Sequence, residues 1–245
     1  MQPRSSRSSS SEGRRARPGD GPGTAREGGP ARYAARVEYD GTDFAGFQVQ
    51  PGRRTVQGEL EAALAIVSGG SRTRIEAAGR TDAGVHAADQ VIAFTYRGRL
   101  PAPELARALD ALLPADVALH GLRPVGAGWR PRRAARYREY RYTVWNGPRS
   151  PLRERTALGV RDPLDAAAMA EAGQALVGRH DFSAFGGADR QPIRTVQAIR
   201  VRRAGRTITI DVRGDAFLRQ MVRSIVAALL RVGHGEATAA DLSAA

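Results

Sequence analysis

The chain has 245 residues, 42% of them apolar, so it is long enough to bury one large core or two smaller ones. Its formal net charge is +13 and it contains no lysine, so the excess of arginine favours a nucleic acid as partner. Cysteine is absent and only four histidines occur, which excludes disulfides and thiolate nucleophiles and predicts no metal site. No apolar run matches a membrane span or a secretion signal, which predicts a cytoplasmic protein.

The first 31 residues are predicted to be a disordered basic tail. They consist mainly of arginine, serine, glycine and proline, with almost no large apolar side chains to bury. Six arginines stand there against three acidic residues, so most of the excess positive charge belongs to the rest of the chain. The tail either helps to hold a nucleic acid, or is an extension without a role or a misplaced start.

Residues 32–127 are predicted to form an N-terminal α/β subdomain. Their apolar residues alternate with period two in the strands and recur with helical spacing in the helices. Thr55 is well placed to cap the first helix. The predicted elements are strand 33–39, turn 40–43, helix 56–67, strands 74–78 and 90–96, helix 104–113 and strand 117–122.

Residues 128–245 are predicted to form a second α/β subdomain, after a boundary within the segment 123–136, which is rich in proline, glycine and arginine. Strands and helices recur in a similar order in both halves, which indicates two related units. The predicted elements are strand 137–145, helix 164–177, loop 180–185, strands 196–203 and 206–212 turning at Ala204-Gly205, and helix 216–232 capped by Asp215.

A charged turn, Gly79 to Ala87, lies between two of these strands. Two glycines bracket Asp82, and Arg80 precedes it by two residues, so the backbone allows a ligand to approach a carboxylate closely. This pattern suits a reactive carboxylate. The alternative is a turn aspartate that bonds its own backbone.

Two other residues, one on a strand and one on the last helix, are polar side chains beside apolar ones. Tyr140 shares one strand face with Tyr142 and Val144, as a packing residue would. Arg223 falls at the margin of the apolar stripe of the last helix. There it either extends its charge into solvent or pairs with a carboxylate inside a cleft.

The turn sequence Gly-Arg-Thr-Asp-Ala-Gly-Val-His, residues 79–86, resembles the signature of the TruA-type tRNA pseudouridine synthases. Other matching segments follow in order at spacings similar to those of the family, across roughly Tyr33 to Val232. They are Tyr39-Asp40-Gly41, Gly46-Phe47-Gln48, Val56-Gln57, Arg132 with Ala135, Tyr140-Arg141-Tyr142, His180-Asp181-Phe182 with Phe185, Arg194-Thr195, and Phe217 with Met221-Val222-Arg223.

The resemblance implies the pseudouridine synthase fold: an α/β protein of two similar subdomains with mixed or antiparallel sheets, helices packed on one side and a central cleft. It implies a homodimer without cofactor that isomerises uridine to pseudouridine in the anticodon stem-loop of tRNA, at positions 38 to 40. Such chemistry breaks the C1′–N1 bond of the nucleotide, rotates the uracil and rejoins it through C5, so it needs no redox partner or energy donor.

The resemblance also assigns roles to seven residues. Asp82 is expected to act on the ribose as nucleophile or base, with Arg223 as counter-charge in a closed pocket. Tyr140 stacks on the uracil or moves a proton from C5. The expected RNA contacts come from Arg80, which enters the space left by the flipped nucleotide, and from His86, Gln48 and Arg132. The alternative for His86 is a structural role.

Two departures from the family's pattern accompany these matches. Pro131 and Arg133 stand where the family usually has a small residue and an aromatic one, so local RNA contacts are expected to differ. The family usually continues through a helix to a final strand with a Gly-Leu-x-Leu pattern. Nothing in this sequence supplies that strand before Ala245, so the second subdomain is expected to lack it.

Two other classes of function stay open from the sequence. The first is a non-catalytic module that binds or folds RNA with the same basic cleft. The second is a metal-dependent hydrolase that uses Asp82 and His86.

Overall fold

The computed structural model describes residues 30–187 and 190–243 and divides the chain into two compact units. Unit 1 ends at Pro131 and unit 2 begins at Arg132. The predicted basic tail lies, except for its last two residues, outside the described residues. The predicted α/β class, with two antiparallel or mixed sheets and packed helices, is confirmed.

Unit 1 is a four-stranded antiparallel sheet in the order β2-β3-β1-β4, with two helices on one face. Side chains from alternate strand positions, such as Val37, Ile92 and Phe94, pack against Leu60 and Leu105 of the helices. Its elements are β1 (Ala31–Tyr39), α1 (Val56–Val67), β2 (Glu76–Ala77), β3 (Ala87–Tyr96), α2 (Ala102–Leu112) and β4 (Val117–Val125).

Unit 2 is a five-stranded sheet in the order β6-β5-β9-β8-β7, parallel only between β5 and β6. Ile199, Ile208 and Ile210 of the sheet pack against Met169 and Ile225 of two helices. The elements are α3 (Pro131–Ala134), which straddles the boundary, β5 (Arg138–Asn146), β6 (Leu158–Val160), α4 (Ala166–Gln174), β7 (Gly178–Asp181), β8 (Ile193–Ala204), β9 (Thr207–Gly214), α5 (Met221–Gly233) and α6 (Ala239–Ser243).

The prediction that the last long helix begins at Ala216 with Asp215 as its cap is wrong. Helix α5 begins at Met221, after Gln220 in a left-handed conformation with φ of 62°. The Asp215 carboxylate instead accepts hydrogen bonds from Thr195 N and Ala216 N, so it ties this segment to β8. The bond to Thr195 joins residues 20 apart along the chain, so the apolar spacing that predicted a helix over residues 215–220 does not reveal it.

Other boundaries also differ from the prediction. His180 and Asp181, predicted in a loop, lie on strand β7, and a 3-10 turn follows at Ser183–Phe185. Strand β2 has two residues rather than five, and the β8–β9 turn lies at Gly205-Arg206. The short elements β6, α3 and α6 have no clear periodicity in the sequence.

A buried carboxylate, Asp211 of β9, lies on the sheet face of unit 2 that points away from α4 and α5. Only 5% of Asp211 is exposed. Arg141 of β5 donates to it from Nε at 2.7 Å and from Nη2 at 3.3 Å, and Arg202 of β8 donates from Nη2. Burial alone would raise the pKa of the Asp211 carboxyl, but these hydrogen bonds outweigh burial and hold the pKa below its usual range.

Replacing Asp211 with Asn should lower the free energy of unfolding at pH 7 by about 1–3 kcal/mol. The folded-state pKa lies below the unfolded value of about 3.9, so the carboxylate stabilises the fold above that pH. This contribution disappears as the pH falls through the folded pKa. Urea denaturation at pH 7 and at lower pH measures this contribution to stability. The Asp162→Asn variant is the control, because Asp162 is exposed. An Asp211→Asn variant as stable as the parent at pH 7 would contradict the assignment.

Candidate active site

The turn from Gly79 to His86 joins β2 to β3 of unit 1, as predicted. Arg80 and Asp82 are exposed on it, and within the described part of unit 1 neither side chain has a hydrogen bond or an ion pair. Within the described part of unit 1, the Asp82 carboxylate faces solvent and is accessible to a ligand.

Main-chain hydrogen bonds hold this turn against the segment between β1 and α1. Phe47 N donates to Thr81 O at 3.0 Å, and Gly84 N donates to Phe44 O at 3.3 Å. Within the turn, Val85 N donates to Asp82 O at 3.2 Å. The backbone on both sides of Asp82 is thus fixed, whereas its side chain makes no hydrogen bond to the described part of unit 1.

Gly46 permits this close approach. Its φ is +100°, and a Cβ atom there would lie 2.8 Å from Thr81 O and 3.2 Å from the carbonyl carbon of Asp82. Real Cβ atoms are essentially never found closer than 3.0 Å to such atoms. Only glycine therefore fits at position 46 without displacing the turn. In the sequence Gly46 stands between Ala45 and Phe47, and periodicity does not reveal its contact with the turn.

Side chains secure the two ends of the turn. At the start, Gln90 donates from Nε2 to Gly79 O at 3.0 Å and accepts from Gly79 N at 3.4 Å. The Thr81 hydroxyl lies 2.8 Å from the Tyr39 hydroxyl, within hydrogen-bond distance. Sequence patterns do not reveal these contacts of Gln90 and Tyr39, because both join residues distant along the chain.

His86 anchors the other end of the turn. Its Nδ1 lies 3.1 Å from Gly41 N and 3.0 Å from Asp40 Oδ1. A neutral Nδ1 accepts from the Gly41 N–H, whereas a protonated Nδ1 donates to the Asp40 carboxylate. The ring is therefore held to the turn at residues 40–41 in either protonation state, and part of it is exposed.

The remaining predicted site residues are distributed over both units. Gln48 is exposed in unit 1, next to the Phe47 amide that bonds the turn. In unit 2, Arg132 is exposed on α3 and Arg223 is exposed in the first turn of α5. Tyr140 on β5 contacts Phe217 edge to face, with ring centroids 5.3 Å apart. That contact fixes the tyrosine ring within unit 2.

Two kinds of feature, a metal-binding cluster and a membrane-spanning helix, were sought among the described residues. In residues 30–187 and 190–243, no group of three or more histidine, aspartate or glutamate side chains is arranged to hold a metal ion. No helix in the same ranges is long and apolar enough to cross a membrane.

Comparisons with known proteins match most of the chain. The sequence profile of a family described as tRNA pseudouridine synthase matches residues 35–132 and 172–245. The tRNA pseudouridine synthase A of Halalkalibacterium halodurans is 40% identical over 216 residues, covering 86% of this chain and 82% of that protein. Those of Brevibacillus brevis and Geobacter sulfurreducens are 42% and 43% identical, over 86% and 82% of this chain and 88% and 84% of those proteins.

Proposed function

This chain belongs to the tRNA pseudouridine synthase family, and from that premise we propose that it isomerises uridine to pseudouridine at positions 38 to 40 of the tRNA anticodon stem-loop. The observation that carries the proposal is the exposed Asp82 carboxylate on a turn held by main-chain bonds. A fixed backbone with a free carboxylate suits a group that must meet the ribose in one geometry. The reaction is redox-neutral, so the proposal includes no cofactor.

Asp82 acts on the ribose of the target nucleotide, as the nucleophile or the base. The C1′–N1 bond breaks, the detached uracil turns, and a C1′–C5 bond forms. The proton on C5 is then lost and N1 gains one, so atoms and electrons balance without an added reagent. The carboxylate is regenerated at the end of the cycle.

Tyr140 and Arg223 complete the catalytic group in this proposal. Tyr140 stacks on the uracil or moves the proton from C5, a role supported by its ring held against Phe217. Arg223 supplies the positive charge that keeps the reacting carboxylate ionised, a role supported by its exposed place in the first turn of α5.

The RNA contacts come from exposed polar side chains. Arg80 precedes Asp82 by two residues and enters the space that the flipped nucleotide leaves in the stem. His86 and Gln48 flank the same turn, and Arg132 contributes from α3. We place the chain in a homodimer, which sedimentation at micromolar concentration would test.

Incubating the chain with an unmodified tRNA transcript should form pseudouridine only at positions 38 to 40. Chemical labelling of pseudouridine followed by primer extension maps the product. A transcript with cytidine at these three positions is the matched control and should give no product. Product outside the anticodon arm would contradict the specificity, and no product from the unaltered transcript would contradict the activity.

A further inference from the structure

The sheet of unit 2 carries a cluster of arginines on the face that points away from α4 and α5. Asp211 on the central strand β9 is the cross-strand neighbour of Arg141 on β5 and of Arg200 on β8. Arg202 also bonds Asp211, and Arg213 follows two residues later on β9. We call these four arginines and Asp211 the basic sheet face.

Asp211 holds two of these guanidinium groups in place. Arg141 and Arg202 bond its carboxylate, yet about 60% of each arginine side chain is exposed. A guanidinium has five N–H donors, and Arg141 directs two nitrogens, and Arg202 one, at Asp211. Among the described residues the remaining donors have no other partner, so they can bind a ligand. Less conformational entropy is lost on binding because the side chains are already ordered.

The charge of this cluster favours an anion. Arg141, Arg200 and Arg202 surround the single carboxylate of Asp211, so positive charge remains in excess. Planar guanidinium groups on neighbouring strands suit phosphate oxygens, which they bind through two parallel N–H bonds. Glu139 is the cross-strand neighbour of Arg213 and reduces the positive charge at that end.

An aromatic ring borders the cluster beside Arg213. The Arg213 guanidinium carbon lies 3.4 Å from the centre of the Tyr137 ring, and 44% of Tyr137 is exposed. An arginine stacked on an exposed aromatic ring provides both a charge and a flat surface, a combination common where proteins bind RNA. A second copy of this chain would instead bring like charges together if it docked through the same face.

This face is on the opposite side of the sheet from Tyr140. Successive side chains of a strand point to opposite faces, and Tyr140 packs on Phe217 while its neighbour Arg141 bonds Asp211 on the other side. A nucleotide that reaches Tyr140 therefore cannot also cover Arg141. The anion on the basic sheet face belongs to another part of the RNA.

We propose that the basic sheet face binds the phosphodiester backbone of tRNA at a segment other than the one carrying the target uridine, with Asp211 as a positioning residue. This proposal depends on tRNA being the substrate, as in the proposed function. The surface adds affinity and orientation for the whole tRNA. It takes no part in the chemical step.

The Arg200→Glu variant tests this surface through the affinity for an unmodified full-length tRNA transcript over a series of salt concentrations. We expect the dissociation constant to rise about tenfold and the slope of log affinity against log salt to become shallower by about one. The control is Arg161→Glu, which makes the same charge change on the exposed connection between β6 and α4. It should change the dissociation constant by less than about twofold. Equal effects of the two variants, or no effect of Arg200→Glu, would overturn the proposal.

Asp211→Asn tests the positioning role by the sign of its effect. This change removes a negative charge, so electrostatics alone predicts tighter tRNA binding. If Asp211 instead orders the guanidinium groups, its loss should weaken tRNA binding about threefold or more. Asp162→Asn is the matched control for charge, and circular dichroism at the assay temperature checks folding. Binding as tight as that of the parent, or tighter, would refute the role of Asp211.

Two further outcomes separate this inference from the proposed function. If the unaltered chain forms no pseudouridine but Arg200→Glu weakens tRNA binding selectively, the catalytic proposal fails and the surface stands. If Arg200→Glu changes the sedimentation of the protein while tRNA affinity is unchanged, the face is a contact between copies and this proposal fails.

Discussion

Pseudouridine formation by the Asp82→Asn variant should fall by about 10³-fold or more, while its affinity for tRNA stays within a few fold of the parent. The amide has nearly the shape of the carboxylate but is neither a nucleophile nor a base. Since the Asp82 side chain has no partner within the described part of unit 1, the change should leave stability unaltered. Single-turnover assays with excess protein separate the chemical step from binding.

Asp89→Asn is the matched control for this prediction. Asp89 lies on β3, and its one ion pair within residues 30–187 and 190–243 is a surface pair with Arg36 at 3.6 Å, which contributes little to stability. Its removal should leave the rate within about twofold. Asp82→Asn with the parent's rate would eliminate the carboxylate mechanism, and loss of tRNA binding with loss of activity would assign Asp82 to binding instead.

Gly46→Ala should reduce the single-turnover rate by about 10²-fold and lower the free energy of unfolding by about 1–3 kcal/mol. The new Cβ atom would lie 2.8 Å from Thr81 O, and both atoms belong to backbone segments that cannot rotate away. The turn must shift, and Asp82 shifts with it. Denaturation by urea and single-turnover rates measure the two effects separately.

Gly52→Ala provides the control for backbone conformation alone. Gly52 also has a positive φ, +66°, but nothing lies within 4 Å of a Cβ atom built there. This change should cost about 1 kcal/mol of stability and leave the rate unaltered. Equal rate losses in the two variants, or a Gly46→Ala variant with the parent's rate, would contradict the role assigned to Gly46.

The sequence predicted those elements whose signals are local. The bounds of α1, for example, match the prediction at both ends, and its start is marked by Thr55, which accepts a hydrogen bond from Gly58 N. Alternating apolar residues likewise located the long strands β1, β5 and β9. The charged turn was located because it lies between two predicted strands, 74–78 and 90–96, which overlap β2 and β3.

What the sequence did not predict depends on contacts between distant residues. Asp215 bonds Thr195 near the start of β8 instead of capping α5, which no helical period reveals. The close approach of Gly46 to Thr81 and the bonds of Asp211 to two other strands arise only once the sheets form. Propensity is a weak signal at such positions because tertiary contacts override it.

The bonds that hold the turn around Asp82 have a practical consequence. The Phe47–Thr81 and Gly84–Phe44 bonds join main-chain groups, which every amino acid except proline supplies in full. Position 82 is therefore open to replacement by side chains of other chemistry without loss of the surrounding backbone. An inactive variant made there would keep its RNA surface intact and could isolate its own substrates from a mixture of cellular tRNAs.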